Sequence, residues 1–233
     1  MASDNKIIAL VPARYGSKGF KNKNLAKLND IPLVAWPIIA ASKSKLVSSI
    51  YLSTDSKDIA EIGEKYGAKV PWLRPSYLAS DSATRSEVIL HAINNLDDFD
   101  YLVYLEPTSP LTTDKDIDDA LRLLINTENA QSLVSICKHS THHPDYTVTK
   151  NKKNIISPLM HKSFHEIPVN RQDLDDCYFF DGSIYITTKS SFLENKEFLT
   201  NTTIGFEVDE KKSLEIDSSL DLELIKIVLD SDE

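Results

Sequence analysis

A loop rich in cations and hydrogen-bond donors follows the first apolar run of the chain. Within ALVPARYGSKGFKNKNLAKL (9–28), the side chains with that chemistry are Arg14, Ser17, Lys18, Lys21, Lys23 and Asn24. Gly16 and Gly19 let the backbone approach a ligand closely, and successive N–H groups there can form a nest for an anion. The loop therefore predicts a triphosphate site, with a solvated basic loop as the alternative. A P-loop is excluded because the Gly-Lys-Ser/Thr ending is missing.

Two carboxylates stand two positions apart near the end of the sequence, in KSLEIDSSLDLEL. In an extended chain the side chains of Glu215 and Asp217 point the same way, so both can meet one hard cation. Helix capping and surface charge explain such a pair equally well when it stands alone. The cation interpretation gains weight beside a phosphate loop, because triphosphates carry Mg²⁺ with them.

A third motif, LEPTSPL (105–111), follows an apolar run. Its strand is predicted to end at Glu106, and two prolines stiffen the turn that follows. Thr108 and Ser109 would then offer hydroxyl groups to the same cleft as the basic loop. A plain strand-to-helix turn is the alternative interpretation.

The composition is that of an acidic globular protein. The 233 residues carry a formal charge of -9, which argues against a broad nucleic-acid surface, since such surfaces are basic. No apolar run approaches the roughly 20 residues of a membrane helix, and no long apolar region follows the N-terminal MASDNK. Cys137 and Cys177 lie in apolar runs, as free buried thiols do. We therefore expect a cytoplasmic protein that binds neither nucleic acid nor a membrane.

The elements that must position these residues alternate between strand and helix. The patterns predict strands at 6–13, 48–55, 69–74, 100–106, 131–138, 177–188 and 203–209, and helices at 32–46, 56–68, 84–96, 113–128 and 219–230. This alternation predicts one α/β domain over 1–233, with a doubly wound, mostly parallel sheet. Ligands of such sheets bind beyond the carboxyl ends of the strands, where the basic loop lies.

The alternation of strands and helices is interrupted between His139 and Asp175. This segment (139–175) is polar and longer than most structureless connections, and its YTVTKNKKNIISPL stretch predicts a hairpin with a turn near Asn151. We interpret the segment as an arm that reaches away from the sheet.

Taken together, the motifs resemble the CMP-sialic acid synthetases (acylneuraminate cytidylyltransferases). The family pattern A-R-x-x-S-K-G-x-x-x-K-N corresponds to Ala13 through Asn24. The resemblance continues in order through STD (53–55), RPSYLASD (74–81), PTSPL (107–111), HHP (142–144), NRQDL (170–174), GSIYI (182–186) and EIDSSLDL (215–222). It covers nearly the whole chain, and the order of the motifs makes it specific.

The resemblance implies a Rossmann-like nucleotidyltransferase fold and a reaction in which CTP and a nonulosonic acid give a CMP-sugar and pyrophosphate, with Mg²⁺ as cofactor. It implies catalytic roles for Arg14, Lys23 and Asp217. It assigns nucleotide binding to Arg14, Ser17, Lys18, Lys23, Asn24, Arg74, Ser80 and Asp81. It assigns sugar binding to Glu106, Thr108, Ser109, Arg171, Gln172, Tyr178, Phe179 and Phe180. It assigns metal binding to Glu215 and Asp217. It also implies that the arm at 139–175 joins two subunits into a homodimer.

The chain departs from the family pattern at four positions. Glu106 stands where glutamine is usual, Thr112 where arginine is usual and Asp181 where asparagine is often found. Glu215 replaces the usual first aspartate of the acidic pair. Because an ionised carboxylate accepts hydrogen bonds but cannot donate them, Glu106 predicts a differently substituted relative of N-acetylneuraminic acid as substrate, such as the diamino-trideoxy sugar legionaminic acid.

Two other functions stay open on the sequence alone. The same fold could transfer a nucleotide to Kdo or to a sugar 1-phosphate, although NRQDL favours a carboxylated sugar. A non-catalytic nucleotide-binding relative is the second alternative; Arg14, Lys23 and Asp217 argue against it.

Overall fold

The computed structural model describes residues 5–16, 20–139 and 141–231, and the backbone alone of Arg171. Within these residues the strands are β1 Ile7–Pro12, β2 Lys27–Leu28, β3 Ile31–Pro32, β4 Ser49–Ser53, β5 Tyr101–Leu105, β6 Ser132–Lys138, β7 Val148–Lys150, β8 Ile156–Pro158, β9 Tyr178–Thr188 and β10 Thr203–Val208. The α-helices are α1 Ala35–Lys43, α2 Lys57–Lys65, α3 Arg85–Asn94, α4 Asp114–Asn126, α5 Lys189–Asn195 and α6 Ser219–Ser231.

Six strands form the central sheet, in the order β10-β6-β9-β5-β1-β4. The pairs β1–β4, β1–β5 and β10–β6 are parallel, whereas β9 runs antiparallel to both of its neighbours. The chain passes from β1 to β4 on one side and then to β5 on the other. The strand order therefore reverses beside the carboxyl end of β1, which is where ligands bind in open α/β sheets.

Helices cover both faces of the sheet, so β1 is buried along its length. Ile7, Ala9 and Val11 join a core with the helices α1, α2 and α4. Ile8 and Leu10 point to the opposite face, where α3 and α5 pack. This two-sided burial explains the continuous apolar run in the sequence and confirms the predicted doubly wound, mostly parallel α/β sheet.

Helix boundaries follow from local capping. Thr84 and Glu87 form a capping box at α3, and Thr113 caps α4 in the same way through Asp116. Gly67 follows the end of α2 with a φ of 103°, a conformation that glycine adopts without steric cost. These start and stop signals were readable in the sequence.

Several elements differ from the sequence predictions, among them the short strand pair β2–β3, which was not predicted. The predicted strand at 69–74 is wrong, because only a single parallel bridge between Tyr51 and Lys69 forms there; Pro71 lacks the N–H that a ladder requires. Helix α1 is shorter than predicted, since residues 31–32 pair with β2 instead. The seven-residue helix α5 was not predicted.

The 139–175 segment contains the predicted hairpin, formed by β7 and β8, which pair with each other and not with the central sheet. Among the described residues, none of the helices combines the length and apolar character needed to cross a membrane. Helix α6 closes the domain, because Leu222 and Ile225 pack on Leu28, Leu33 and Ile216 in a separate apolar cluster.

Candidate active site

A cleft of about 330 Å³ opens beyond the carboxyl ends of β1 and β5. The predicted site residues that line it are Arg14, Lys23, Asn24, Arg74, Ser80, Asp81, Glu106 and Thr108. The structure thus brings together side chains from five separated stretches of sequence at the point where the strand order reverses.

Arg14, the first cation after β1, is held by hydrogen bonds on one wall of the cleft. Its Nη1 lies 2.8 Å from Oδ1 of Asp81 and 3.3 Å from the carbonyl oxygen of Ala79. Asn24 donates from Nδ2 to the carbonyl oxygen of Arg14 at 2.8 Å. A bound anion would therefore meet a guanidinium that is already oriented. It would have to displace Asp81 or bind the guanidinium alongside it.

Lys23 occupies the other end of the basic loop and contacts the acidic segment. Its Nζ lies 3.0 Å from Oδ1 of Asp217, and its side chain is largely buried whereas that of Asp217 is exposed. The short helical turn Lys23–Leu25 fixes the lysine backbone. The predicted phosphate loop and the predicted metal ligands are therefore parts of one site.

The acidic segment is anchored by Ile216, which is fully buried between Glu215 and Asp217. Its backbone N–H donates to the carbonyl oxygen of Thr108 at 2.9 Å. Asp221 accepts from the backbone N–H of Asp217 at 3.0 Å and thereby holds the start of α6. The acidic pair is consequently attached to the 107–111 turn. Neither Glu215 nor Asp217 lines the cleft, and Asp217 is joined to it through the contact with Lys23.

Four carboxylates interact electrostatically around this segment. Desolvation and the neighbouring Asp217, Glu106 and Asp181 raise the pKa of Glu215 to about 7, while Lys23 acts in the opposite direction. A bound cation would relieve this repulsion. Among the described residues no three His, Cys, Asp or Glu side chains are grouped to hold a metal by themselves, so a divalent ion here would need phosphate or water oxygens to complete its shell.

The Glu215 carboxylate packs directly over Gly182 in β9. Gly182 has a φ of 81°, and a Cβ atom at this position would collide with Oε1 of Glu215. The positive φ favours glycine at this position, and a larger residue would also require the Glu215 side chain to move. Asp181, the preceding residue, is buried, and neither of its carboxylate oxygens has a hydrogen-bond partner among the described residues.

Arg74 supports the nucleotide side of the cleft from within the protein. Its guanidinium donates from Nε to Oγ of Ser53 at 3.1 Å and to the carbonyl oxygens of Ser53 and Leu78, and burial lowers its pKa. These bonds fix the 76–79 turn, and Ser80 follows it with its hydroxyl donated to the carbonyl oxygen of Tyr77 at 2.8 Å. Arg74 therefore shapes the wall that carries Ser80.

Glu106 lies at the base of the cleft. Burial raises the pKa of its carboxyl, while Arg85, Tyr104, Lys23 and Arg74 act in the opposite direction. Thr108 lines the cleft beside it. Ser109 does not line it, since its hydroxyl is buried without a partner among the described residues.

Several predicted sugar-binding residues lie outside this cleft. Tyr178, Phe179 and Phe180 are partly exposed at the start of β9, where the Phe179 ring lies 5.0 Å from that of His139. Gln172 is exposed in the short turn Arg171–Asp173. Ser17 and Lys18 lie outside the described residues, as does the side chain of Arg171, so their roles stay predictions.

Arg85 is a cleft residue that sequence reasoning missed. It is the first residue of α3 and lines the cleft 3.5 Å from Glu106. A cation in the first turn of a helix opposes the helix dipole. That unfavourable placement, directly after the recognised cap at Thr84, was the available signal.

The chain is similar to known proteins over most of its length. A family model described as cytidylyltransferase matches residues 8–231. An N-acylneuraminate cytidylyltransferase of Escherichia coli is 35% identical over 224 residues, which cover 94% of this chain but only 51% of that protein, so the chain spans about half its length. A CMP-N,N'-diacetyllegionaminic acid synthase of Legionella pneumophila is 32% identical, with 97% of both chains covered.

The fold is shared with a solved structure of CMP:2-keto-3-deoxy-manno-octonic acid synthetase in complex with CTP. The TM-score is 0.72, the identity is 14%, and the match covers 98% of this chain and 100% of that one. At this identity the likeness establishes the fold alone.

Proposed function

Because the chain belongs to the cytidylyltransferase family, we propose that it transfers a cytidylyl group from CTP to a nonulosonic acid and releases pyrophosphate. The observation that carries this proposal is the contact of Asp217 with Lys23, which lines the same cleft as Arg14. It places phosphate-binding cations and candidate metal ligands side by side, as a nucleoside triphosphate requires. The named relatives support the choice of a nine-carbon sugar acid.

In the proposed reaction, the anomeric hydroxyl oxygen of the sugar acid attacks the α-phosphorus of CTP. A new oxygen–phosphorus bond forms, the bond from the α-phosphorus to the bridging oxygen breaks, and pyrophosphate leaves. The hydroxyl proton passes to a base. Both reactants are anions, so the protein must offset their repulsion where they meet.

Arg14 and Lys23 supply that compensation. Their positive charges face the cleft and stabilise the charge that develops on the α-phosphate and the leaving pyrophosphate. Asn24 holds the loop in place through its bond to the Arg14 carbonyl oxygen. This arrangement explains why an acidic chain concentrates cations in one early loop.

Mg²⁺ is the proposed cofactor, with Asp217 and Glu215 as its protein ligands. When bound, it would neutralise charge on the triphosphate oxygens. The exposure of Asp217 leaves its carboxylate accessible to a cation, and the raised pKa of Glu215 reflects repulsion that a cation would relieve. Lys23 would then turn from Asp217 toward the phosphates.

Glu106 supports a particular class of sugar acid. An ionised carboxylate accepts hydrogen bonds only, so it favours a substrate that presents N–H or O–H to it. We propose a diamino relative of N-acetylneuraminic acid, of which N,N'-diacetyllegionaminic acid is the leading example.

We also propose that the chain is a homodimer joined by the arm at 139–175 and that it works in the reducing cytoplasm. The arm exposes Ile155, Leu159, Met160, Phe164 and Val169, an apolar set that a second copy would cover. Cys137 and Cys177 are both free, as expected in a reducing compartment.

A pyrophosphate-release assay tests the proposed reaction. CTP and UTP are each offered with N-acetylneuraminic acid, N,N'-diacetyllegionaminic acid, Kdo and a hexose 1-phosphate. The proposal predicts release only with CTP and a nonulosonic acid. Release with Kdo or the sugar phosphate in preference to every nonulosonic acid would contradict it.

A further inference from the structure

The guanidinium of Arg85 packs against two buried aromatic rings. Its central carbon lies 4.3 Å from the ring centre of Tyr185 and 5.4 Å from that of Tyr104. The two rings meet edge to face with centres 6.2 Å apart. A planar guanidinium stacked on aromatic faces keeps a defined orientation, which a lysine ammonium would not reproduce.

The same guanidinium contacts the carboxylate at the base of the cleft. Nη2 of Arg85 lies 3.5 Å from Oε1 of Glu106, and the exposed fractions of the two side chains are 41% and 23%. Both residues line the cleft. A donor and an acceptor are therefore assembled side by side before any substrate binds.

This pair has hydrogen-bonding capacity beyond its own contact. A guanidinium carries five N–H donors, and a carboxylate has two oxygens with several acceptor positions. The contact at 3.5 Å, together with the hydrogen bonds of Glu106 with Tyr104 and of Arg85 with Tyr185, leaves part of this capacity unused. The remaining capacity matches a ligand group that carries an acceptor next to an N–H donor.

We propose that Arg85 and Glu106 act as one recognition unit, in which Arg85 donates to an acceptor atom of the bound substrate and Glu106 accepts from the adjoining N–H. The proposal rests on the cytidylyl transfer proposed above and names Arg85 as a specificity-determining residue of that site. The pair matters as a unit because either member alone would leave a charge without its partner in a cleft that is partly closed to water.

Two parts of the substrates present this chemistry. The cytosine edge of CTP carries a ring nitrogen acceptor beside an amino donor, and an acylamino substituent of the sugar acid carries a carbonyl oxygen and an N–H. Separate KM values for CTP and for the sugar acid distinguish them, because loss of the unit weakens binding of the substrate that it contacts.

A double-mutant cycle tests the proposal on the full chain. The variants are Arg85→Gln, Glu106→Gln and the double variant, assayed with CTP and N,N'-diacetyllegionaminic acid. Each single variant should lower kcat/KM by about 10- to 100-fold, because it leaves the other charge unpaired. The double variant should be impaired much less than the product of the two single effects, since it removes both charges.

The KM values identify what the unit contacts. We expect the KM of one substrate to rise about tenfold or more in the single variants, with the KM of the other unchanged. Arg122→Gln is the matched control, because Arg122 is a half-exposed arginine on α4 that pairs with Asp119 at 2.9 Å and does not line the cleft. It should match wild type.

Independent effects that multiply, or a fall in kcat with both KM values unchanged, would overturn the proposal. If Arg85→Gln fails to fold, Arg85→Lys is tested instead, since it keeps the charge but loses the planar stacking. Unchanged KM values in a folded Arg85→Lys would likewise overturn the proposal. A wild-type chain that releases no pyrophosphate with any nonulosonic acid refutes the proposed function instead. An active wild type without coupling refutes only the recognition unit.

Discussion

Lys23 and Asp217, which are 194 positions apart in the chain, form an ion pair with 3.0 Å between Nζ and Oδ1. The lysine follows β1 and the aspartate precedes α6, so the contact joins the first and last parts of the fold. Both partners are suited to a triphosphate with a metal ion, one by its charge and the other by its carboxylate. We therefore expect this contact to hold the two segments together until CTP and a metal ion bind.

The two cations of the basic loop should be required for turnover. We expect Lys23→Ala and Arg14→Ala each to lower kcat by about 10²- to 10³-fold, as the loss of one stabilising donor typically does. The measurement is steady-state pyrophosphate release, with circular dichroism to confirm folding. Lys27→Ala is the control, because Lys27 is exposed and does not line the cleft. Near-normal kcat in both folded variants would reject the phosphate-site assignment.

Activity should depend on a divalent cation through Asp217. We expect Asp217→Asn to raise the Mg²⁺ concentration needed for half-maximal activity by about tenfold or more, because the neutral amide is a weaker ligand. Glu215→Gln should have a smaller effect, since the longer side chain is the less secure ligand. A Mg²⁺ titration of the three proteins decides this, and a response of Asp217→Asn identical to wild type would reject it as a ligand.

Stability without metal should fall as pH rises through the titration of Glu215. Its ordinary pKa is 4.5 and its folded pKa is about 7, so between these values the folded protein holds a proton that the unfolded chain has released. Raising the pH from 5 to 8 therefore destabilises the folded state. Glu215→Gln lacks this effect. In EDTA, the Tm of the wild type should fall by a few degrees more than that of the variant as the pH rises from 5 to 8. The same pH dependence of Tm in both proteins would contradict the expectation.

Much of this fold could be predicted from local sequence patterns. The β1 run is continuous because both faces of the strand are covered, and the caps at Thr84 and Thr113 mark their helices directly. The strand expected at 69–74 does not form, because Pro71 lacks the N–H that a strand ladder requires. The apolar pattern alone did not take this into account. Helix α5 was missed because seven residues are too few to show a helical period.

Site residues could be predicted where a single sequence motif shows their chemistry. They could not be predicted where their role depends on contacts between residues far apart in the sequence. Arg14 and Lys23 stand out by type and spacing and line the cleft, and Asp217, which does not line it, contacts Lys23. The contact of Arg85 with Glu106 joins a helix start to a strand end, so neither segment alone identifies the other as its partner. The burial of the Ser109 hydroxyl likewise follows from tertiary packing.

The arm should hold two copies together. Leu159 and Met160 are exposed by 55% and 61%, and we expect replacement of both by aspartate to convert a dimer into monomers, because charges would be buried without partners. Ile227→Asp is the control, since Ile227 is exposed by 66% on α6, outside the arm. Analytical ultracentrifugation at micromolar concentration measures the mass. A monomeric wild type, or an unaffected dimer in the arm variant, would refute the assignment.

Direct identification of the product tests the central claim most closely. Purified protein is incubated with CTP, Mg²⁺ and an equimolar mixture of N-acetylneuraminic acid, N,N'-diacetyllegionaminic acid and Kdo, and the nucleotide sugars are separated by mass. The account predicts a CMP-nonulosonic acid, formed with one pyrophosphate per sugar and mainly from the diacetyllegionaminic acid. CMP-Kdo as the sole product, or CTP left intact beside all three sugars, would contradict it.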